Sequence, residues 1–350
     1  MAPETLIIAC VLGLGLTPLA RAAALRWRVV DVPDHRKIHA RPTPLLGGLA
    51  VFASIAGAVV WGSGAPTREV LGVLLGGSLL LCIGLADDFR SIGAGKLLVE
   101  FGVVWLVVRT TGISFHVPSP VLSTLLTVFW IVGVANAFNC LDCADGVAAG
   151  AGLVAAGAFL VIAVLTHQRP EMLLAGAIAG AVLGFLPYNF HPARIFLGDA
   201  GSLTLGYLVA ALGVMVSPGI LSVPALATKV VVLAIPIYDI LFVHLMRYRR
   251  GTRGLRALLT STGKDHLPHR LMDQGLSQPA VALTLVVASA TTGAAGVALV
   301  LTRSAPSAII LGLIAVSTLV VLEPRWETGG RRPEILAPAA AEGAGLGDAD

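Results

Sequence analysis

The chain has 350 residues, of which 56% are hydrophobic and only 13% charged, and its formal net charge is +4. A soluble domain carries roughly 25% charged residues, so this composition excludes a soluble globular protein. With a mean hydropathy of +0.87, we expect a polytopic integral membrane protein of the all-α fold class that has no nucleic-acid partner.

Eleven apolar stretches are long enough, or nearly so, to cross the ~30 Å hydrocarbon core of a bilayer. In chain order they occupy residues 4–21, 45–62, 69–86, 97–111, 120–138, 147–166, 171–189, 200–217, 222–243, 279–301 and 306–323. The first has Glu4 and no basic residue at its start, and its basic residues follow the apolar run, which is typical of a retained anchor. We treat residues 1–325 as one integral membrane domain and expect residues 326–350 to be a disordered cytoplasmic tail.

Lysine and arginine residues lie mostly on one side of these spans. Nineteen of them flank one face and four, Arg68, Arg109, Arg169 and Arg303, flank the other, while Lys229 lies inside a span. Because positively charged loops stay in the cytoplasm, this bias predicts an external N-terminus and a cytoplasmic C-terminus. Every polar motif described below then falls at the cytoplasmic ends of the spans.

The first polar segment, residues 35–48, leads into the second apolar stretch. Lys37, His39 and Arg41 precede a proline-rich turn, and a glycine pair opens the next helix. Cations beside a helix N-terminus suit an anion such as a phosphate. The same residues also fit a positive-inside topology signal followed by a helix-start turn. The two histidines of the segment favour the anion site.

Two adjacent aspartates, Asp87 and Asp88, end the third apolar stretch, and Lys96 follows them. Adjacent carboxylates raise each other's proton affinity unless a cation lies between them. Mg²⁺ takes oxygen ligands, typically one or two carboxylates plus substrate phosphates. The pair therefore suits a metal site, although two aspartates can also simply end a membrane helix in water.

Amides and carboxylates recur at triplet spacing where the fifth apolar stretch ends, at Asn136, Asn139, Asp142 and Asp145. Such groups are costly in hydrocarbon, so their cluster at a membrane boundary indicates a functional site. Spacing of three places the two asparagines on one face if the helix continues. The alternative is a cap and turn rich in Asn and Asp.

A glycine-rich segment, residues 189–202, precedes the eighth apolar stretch. Gly198 and Gly201 flank Asp199, and small residues allow a close approach of backbone amides to a ligand. We expect Asp199 to bind a metal ion and Phe196 to stack on a base. A glycine-rich loop with an Asp cap is the other interpretation.

The largest cytoplasmic loop, residues 247–278, is rich in arginine. Clustered arginines are sufficient for binding anionic lipid. His266, His269 and Arg270 fit that role less well and suit contacts to a diphosphate.

Taken in order, these five segments resemble the polyprenyl-phosphate N-acetylhexosamine-1-phosphate transferases, glycosyltransferase family 4, over about residues 30 to 275. The matching residues, with x for any residue, are Lys37-x-His39 with Pro42, Pro44 and Gly47-Gly48; Asp87-Asp88 with Lys96; Asn136-x-x-Asn139-x-x-Asp142-x-x-Asp145-Gly146; Asn189-x-x-Pro192-Ala193-x-x-Phe196-x-Gly198-Asp199-x-Gly201-Ser202; and Pro236-x-x-Asp239 with the His266 segment.

The resemblance implies transfer of a sugar-1-phosphate from a UDP-N-acetylhexosamine to undecaprenyl or decaprenyl phosphate, with release of UMP. It implies Mg²⁺, or Mn²⁺ in its place, an active site on the cytoplasmic face of the inner membrane, and a product used for lipopolysaccharide, teichoic acid or arabinogalactan. It also admits a homodimer in contact with membrane lipid.

Specific roles follow from the same resemblance. The residues implied in catalysis are Asp87, Asp88, His266, His269 and Arg270. Those implied in substrate binding are Lys37, His39, Arg41, Lys96, Asn136, Asn139, Asp142, Asp145, Asn189 and Phe196, with the last two and Asp145 at the uridine. Those implied at the metal are Asp199, Asp87 and Asp88.

The histidine segment separates two subgroups of the family. Muramoyl-pentapeptide transferases carry three consecutive histidines there, whereas the N-acetylglucosamine type has a His-x-His-His arrangement. This chain has His266-Leu-Pro268-His269-Arg270 and is nearer the second type. A muramoyl-pentapeptide donor is the alternative within the family. A lipid or sugar transporter is the alternative from another class, but transporters place binding groups near mid-membrane.

Overall fold

The computed structural model describes residues 2–33, 41–63, 65–90, 92–93, 95–216, 222–254 and 263–302, with six further positions between 306 and 318. The predicted site residues Lys37 and His39 lie outside the described residues. So do the predicted tail, residues 326–350, and most of the eleventh apolar stretch.

Helices dominate the described ranges, and one antiparallel pair of two-residue strands is the exception. In chain order the elements are α1 (Ala2–Trp27), β1 (Val30–Asp31), β2 (Thr43–Pro44), α2 (Gly47–Ser63), α3 (Arg68–Phe89), α4 (Gly95–Thr111), α5 (Pro120–Leu141), α6 (Val147–Leu165), α7 (Arg169–Asn189), α8 (Gly198–Met215), α9 (Val223–Val232), α10 (Ala234–Arg249), α11 (Leu267–Asp273) and α12 (Gln278–Thr302).

The helical, membrane-spanning character of the chain is confirmed. Seven described helices, α1, α3, α5, α6, α7, α8 and α12, are long and apolar enough to cross a membrane, and α9 with α10 makes an eighth if the bent pair is one span. Helices α2 and α4 have 17 residues each and fall below that length. The total of eleven spans and the orientation of the termini stay predictions.

The span expected at 222–243 is broken. Helix α9 ends at Val232, and α10 leaves it at 81° after Leu233. Pro236 explains the break, since it has no N–H to donate to the carbonyl of Val232 and its ring would clash there. The bend sends α10 and its side chains in a new direction.

Helix α8 is the centre of the bundle. Every residue of it except Asp199 and Met215 is buried, and it packs against α2, α3, α5, α6 and α7. Small residues allow such close packing in lipid. Gly201 of α8 and Gly48 of α2 approach closely, and a Cβ on Gly48 would lie 2.2 Å from Cα of Gly201.

One end of the bundle collects the polar motifs. The contacts described below join the start of α8 to the ends of α3 and α5 and to the starts of α2 and α4. Consecutive helices therefore run up and down, and each motif returns to the same side. This is the arrangement that an active site at one membrane face needs.

Candidate active site

The N-terminus of α8 is capped by a side chain from another helix. Asp88, in the last turn of α3, accepts the backbone N–H of Asp199 at 2.8 Å on Oδ1 and that of Ala200 at 3.1 Å on Oδ2. The first N–H groups of a helix have no partners within the helix and carry partial positive charge. The carboxylate of Asp88 satisfies two of these groups and fixes the position at which α8 begins.

Gly198 makes room for this cap. Its φ is +71°, and a Cβ at this position would lie only 2.7 Å from Oδ2 of Asp88. Glycine reaches the left-handed region without the steric penalty that other residues meet. The glycine before Asp199 is therefore required by the backbone and by the approach of the carboxylate.

One ammonium group joins two further carboxylates. The Nζ of Lys96, at the start of α4, lies 2.8 Å from Oδ2 of Asp87 and 3.0 Å from Oδ2 of Asp199. The side chains of Lys96 and Asp87 are 11% and 13% exposed, whereas that of Asp199 is 42% exposed. Asp199 is thus the carboxylate of this trio that is most available to a ligand.

Asn139 fixes the other oxygen of Asp199. Its Nδ2 donates to Oδ1 of Asp199 at 3.0 Å and to Oγ of Ser202 at 2.9 Å. The Ser202 hydroxyl in turn donates to the carbonyl of Gly198 at 3.0 Å. Helix α5 therefore holds the Asp199 side chain from the side opposite Lys96.

The carboxylates at this site fit a metal ion that enters together with the substrate phosphates. The described residues contain no group of three or more His, Cys, Asp or Glu side chains arranged as a metal site. Asp87 and Asp199 nevertheless share one cation, the ammonium of Lys96. Mg²⁺ is often held by one or two carboxylates plus substrate phosphates, not by an all-protein cage. Asp87 and Asp199 would hold such an ion, with Asp88 engaged at the helix terminus.

Asn136 is engaged away from this trio. Its Nδ2 donates to Oε2 of Glu100 at 2.5 Å and to the carbonyl of Val132 at 2.9 Å. Glu100 lies one turn after Lys96 on α4 and is 1% exposed, and its Oε1 is buried without a partner among the described residues. Asn136 therefore provides a hydrogen bond to the buried carboxyl group of Glu100 and not to Asp199.

Asp142 follows the end of α5 and lies within electrostatic reach of the other acids. Burial raises the pKa of Asp142 well above its usual range, and the negative charges of Asp199, Asp88 and Asp145 raise it further. A cation bound among these carboxylates would favour the charged form of each. The concentration of acids is consistent with a cation-dependent site.

Asp145 holds the loop that leads to α8. Its Oδ2 lies 2.8 Å from Nδ1 of His191 and accepts the backbone N–H of Ala193 at 3.0 Å. Asn189 is 2% exposed and donates to the carbonyl of Ile195 at 3.1 Å, while its Oδ1 is buried without a partner among the described residues.

The backbone of Phe196 joins this loop to the start of α2. Its N–H donates to the carbonyl of Pro44 at 2.8 Å, and its carbonyl accepts the N–H of Gly47 at 3.0 Å. The side chain of Phe196 is half-buried. Arg41 lies just before β2 and is exposed.

The histidine segment is fastened to α10. Asp239, which has no exposed surface, lies 2.8 Å from Nδ1 of His266 through Oδ2 and accepts the backbone N–H of Leu267 at 2.5 Å on Oδ1. Nη1 of Arg270 lies 3.5 Å from the same Oδ1. Arg270 also lies over the ring of Phe242, with 4.2 Å between its Cζ and the ring centroid.

A second ion pair fastens the same segment. Nε and Nη2 of Arg247 bind Oδ2 and Oδ1 of Asp265 at 2.8 and 2.6 Å, a bidentate arrangement. Burial alone would raise the pKa of Asp265, but the hydrogen bonds and charge of Arg247 outweigh it and lower that pKa. Burial lowers the pKa of His269, and the charges of His266 and Lys264 lower it further.

The structure thus brings some predicted residues into one contact network and places others beside it. Asp87, Asp88, Lys96, Asn139 and Asp199 form the network at the start of α8. Asp145 lies between α5 and α6, Asn189 is the last residue of α7, and Phe196 is in the loop before α8. His266, His269 and Arg270 are in or just before α11. Their roles at substrate or metal stay predictions.

Several contacts around the candidate site were not predicted from the sequence, although three of the residues involved had a signal. Glu100 is an acid inside an apolar stretch, which by itself indicates a buried partner. Ser202 and Asp239 each end a quoted motif. The pairing of Arg247 with Asp265 had no comparable signal, because that loop holds many arginines.

An apolar groove lies between α5 and α10. Its volume is about 320 Å³, and its walls include Phe129, Trp130 and Gly133 on α5 and Ile237 and Leu241 on α10. Phe129 and Leu241 are 63% and 64% exposed. In a membrane such a surface faces hydrocarbon, so the groove suits an apolar chain.

Comparison with known proteins adds independent information. The sequence profile of glycosyl transferase family 4 matches residues 70–217. A probable undecaprenyl-phosphate N-acetylglucosaminyl 1-phosphate transferase of Bacillus subtilis is 33% identical over 75% of this chain and 75% of its own length. A decaprenyl-phosphate N-acetylglucosaminephosphotransferase of Mycobacterium tuberculosis is 34% identical over 88% of this chain and 85% of its own length.

A phospho-N-acetylmuramoyl-pentapeptide-transferase of Halalkalibacterium halodurans is 36% identical, but over only 51% of this chain and 62% of its own length. Similarity to the N-acetylglucosamine type therefore extends further along the chain, as the histidine segment predicted. The chain belongs to glycosyl transferase family 4.

Proposed function

We propose that this protein transfers N-acetylglucosamine-1-phosphate from UDP-N-acetylglucosamine to polyprenyl phosphate and releases UMP. The observation that carries the proposal is the convergence of Asp87, Lys96 and Asn139 on Asp199 at the N-terminus of α8. Relatives that match most of the chain are named as polyprenyl-phosphate N-acetylglucosamine-phosphate transferases.

The reaction brings two anions together. An oxygen of the lipid phosphate attacks the phosphorus next to the sugar, and the bond from that phosphorus to the UMP oxygen breaks. A lipid phosphate is largely ionised at neutral pH, since its second pKa is about 6, so deprotonation of the nucleophile is a minor requirement. Charge neutralisation and alignment are the main ones.

The residues of the network meet these requirements in different ways. Lys96 provides positive charge between the carboxylates and keeps Asp87 and Asp199 together in the absence of substrate. Asp88 positions the start of α8. Mg²⁺, when bound with the donor, would offset the negative charge of its diphosphate and of the incoming lipid phosphate.

The apolar groove between α5 and α10 would receive the isoprenoid chain. The groove borders α10, the helix whose Asp239 binds His266, and we place the lipid phosphate at the end of the groove towards the histidine segment. We place this site on the cytoplasmic face, on the lysine and arginine bias. Labelling of Arg90→Cys from the outer side of intact cells, on a background without native cysteines, would contradict that placement.

Purified protein with Mg²⁺ and polyprenyl phosphate, tested against a panel of UDP-sugars for UMP release, examines the proposal. UMP release that requires both the lipid phosphate and UDP-N-acetylglucosamine supports it. Release with UDP-N-acetylmuramoyl-pentapeptide in preference to every other donor would reassign the protein within its family.

A further inference from the structure

Asp239 is a fully buried acid whose polar contacts, among the described residues, lead to the histidine segment. It sits on α10, two residues beyond the apolar groove position Ile237, and no part of it is exposed. Burying a carboxylate is costly unless it is paired and hydrogen-bonded. Here the backbone N–H of Leu267, the ring of His266 and the guanidinium of Arg270 provide the pairing.

The geometry fixes where the proton of His266 lies. Oδ1 of Asp239 accepts from Leu267 and faces Arg270, so the carboxylate acts as an ionised acceptor. An ionised carboxylate can only accept, so Nδ1 of His266 at 2.8 Å must donate. Nε2 is on the opposite edge of the ring and has no described partner, and the side chain retains 11% exposure.

We infer that Asp239 is a positioning residue for the transfer reaction, which acts by holding the proton of His266 at Nδ1 and turning Nε2 towards the phosphates. This inference rests on the proposed function. With one proton on Nδ1, bound to Asp239, and a second on Nε2, the ring is positively charged and Nε2–H donates to a phosphate oxygen. The backbone bond to Leu267 sets the position of the ring at the same time.

A double-mutant cycle between Asp239→Asn and His266→Ala tests the inference. The asparagine Oδ1 can still accept from Leu267, while its amide donates to Nδ1, so the ring is held neutral and loses the positive charge that attracts the phosphate. We expect each single change to lower kcat by about 100-fold, the lower end of acid–base contributions. The double variant should be no slower than His266→Ala alone, because Asp239 acts through that histidine.

A second double-mutant cycle distinguishes this positioning role from one that only holds the histidine segment against α10. Arg247→Gln removes the other ion pair that fastens the segment to α10. Under the inference its effect should add to that of Asp239→Asn, since Arg247 acts on Asp265 whereas Asp239 acts on the His266 ring. Additive losses with His266→Ala, or non-additive losses with Arg247→Gln, would overturn the inference and leave Asp239 as a docking residue.

A second variant tests the inference if Asp239→Asn folds poorly. In His266→Asn, the amide nitrogen occupies the place of Nδ1 and keeps the bond to Asp239, but Nε2 is gone. We expect thermal stability close to that of the parent and turnover about 100-fold lower. Full turnover of this variant would contradict the role of Nε2. Turnover by the parent protein is measured alongside, and its absence would count against the proposed function instead.

Discussion

Asp88 binds the backbone of Asp199, with 2.8 Å between Oδ1 and the amide nitrogen, across 111 positions of sequence. Its other oxygen accepts from Ala200. Two adjacent aspartates therefore differ in environment: Asp88 holds a helix terminus, and Asp87 shares the ammonium of Lys96 with Asp199. A pair that looks uniform in sequence divides into one carboxylate that caps a helix and one that pairs with a lysine.

Gly198→Ala should lower thermal stability and turnover by more than the backbone strain of the substitution alone would cause. A residue with a side chain in the left-handed region costs about 1–2 kcal/mol, and the added Cβ would also displace Asp88 from the helix terminus. Gly93→Ala is the matched control, because Gly93 has φ +70° and open space around it. Thermal unfolding in detergent and turnover are the measurements. Equal losses in the two variants would show that the cap has no separate effect.

Lys96→Met should lower turnover and change the response to divalent cations. Without the ammonium, Asp87 and Asp199 repel each other, and loss of one partner from a buried ion pair costs about 3–5 kcal/mol. Added Mg²⁺ offsets that repulsion, so it should raise the unfolding temperature of the variant more than that of the parent. An identical Mg²⁺ response in the two proteins would argue against metal binding between these carboxylates.

Asp199→Asn should remove turnover while leaving the fold intact. The amide keeps one oxygen for Asn139 but loses the charge that faces the ligand, and we expect at least about 100-fold lower kcat. Asp273→Asn, at an exposed aspartate at the end of α11, is the control and should behave as the parent. The assignment fails if Asp199→Asn turns over normally at limiting Mg²⁺.

Gly133→Leu should act on the lipid substrate alone. A Cβ at Gly133 meets open space, and a leucine there would extend into the groove between α5 and α10. We expect KM for polyprenyl phosphate to rise about tenfold, because the loss of a few methylene contacts in an apolar site has an effect of that size. KM for the UDP-sugar should stay unchanged. Gly157→Leu on α6, also at a position with open space, is the control. A rise in the KM for the UDP-sugar would contradict the assignment of the groove to the lipid chain.

The sequence was sufficient for the membrane class, because the hydropathy of each apolar stretch can be read from its own residues. It was insufficient for the break at Leu233, where the apolar pattern continues across the turn and only Pro236 marks it. The number of spans stays a prediction, since α2 and α4 are 17-residue helices and fall just below the length of a full span.

Site residues could be named from motifs, but their partners could not. Spacing suggested that Asn136 and Asn139 share a face, yet Asn136 binds the buried Glu100 while Asn139 binds Asp199. Which carboxylate caps α8 depends on tertiary approach, since Gly198 and Asp88 are far apart in sequence. Such pairings are set by helix packing, which local sequence patterns do not encode.

The central claim is that the phosphorus next to the sugar moves to the lipid. UDP-N-acetylglucosamine labelled with ³²P in the β-phosphate, incubated with the protein, Mg²⁺ and polyprenyl phosphate, tests it directly. The account predicts that the label enters the lipid fraction and that unlabelled UMP is released in equal amount. Label recovered as water-soluble UDP, with sugar alone on the lipid, would contradict it.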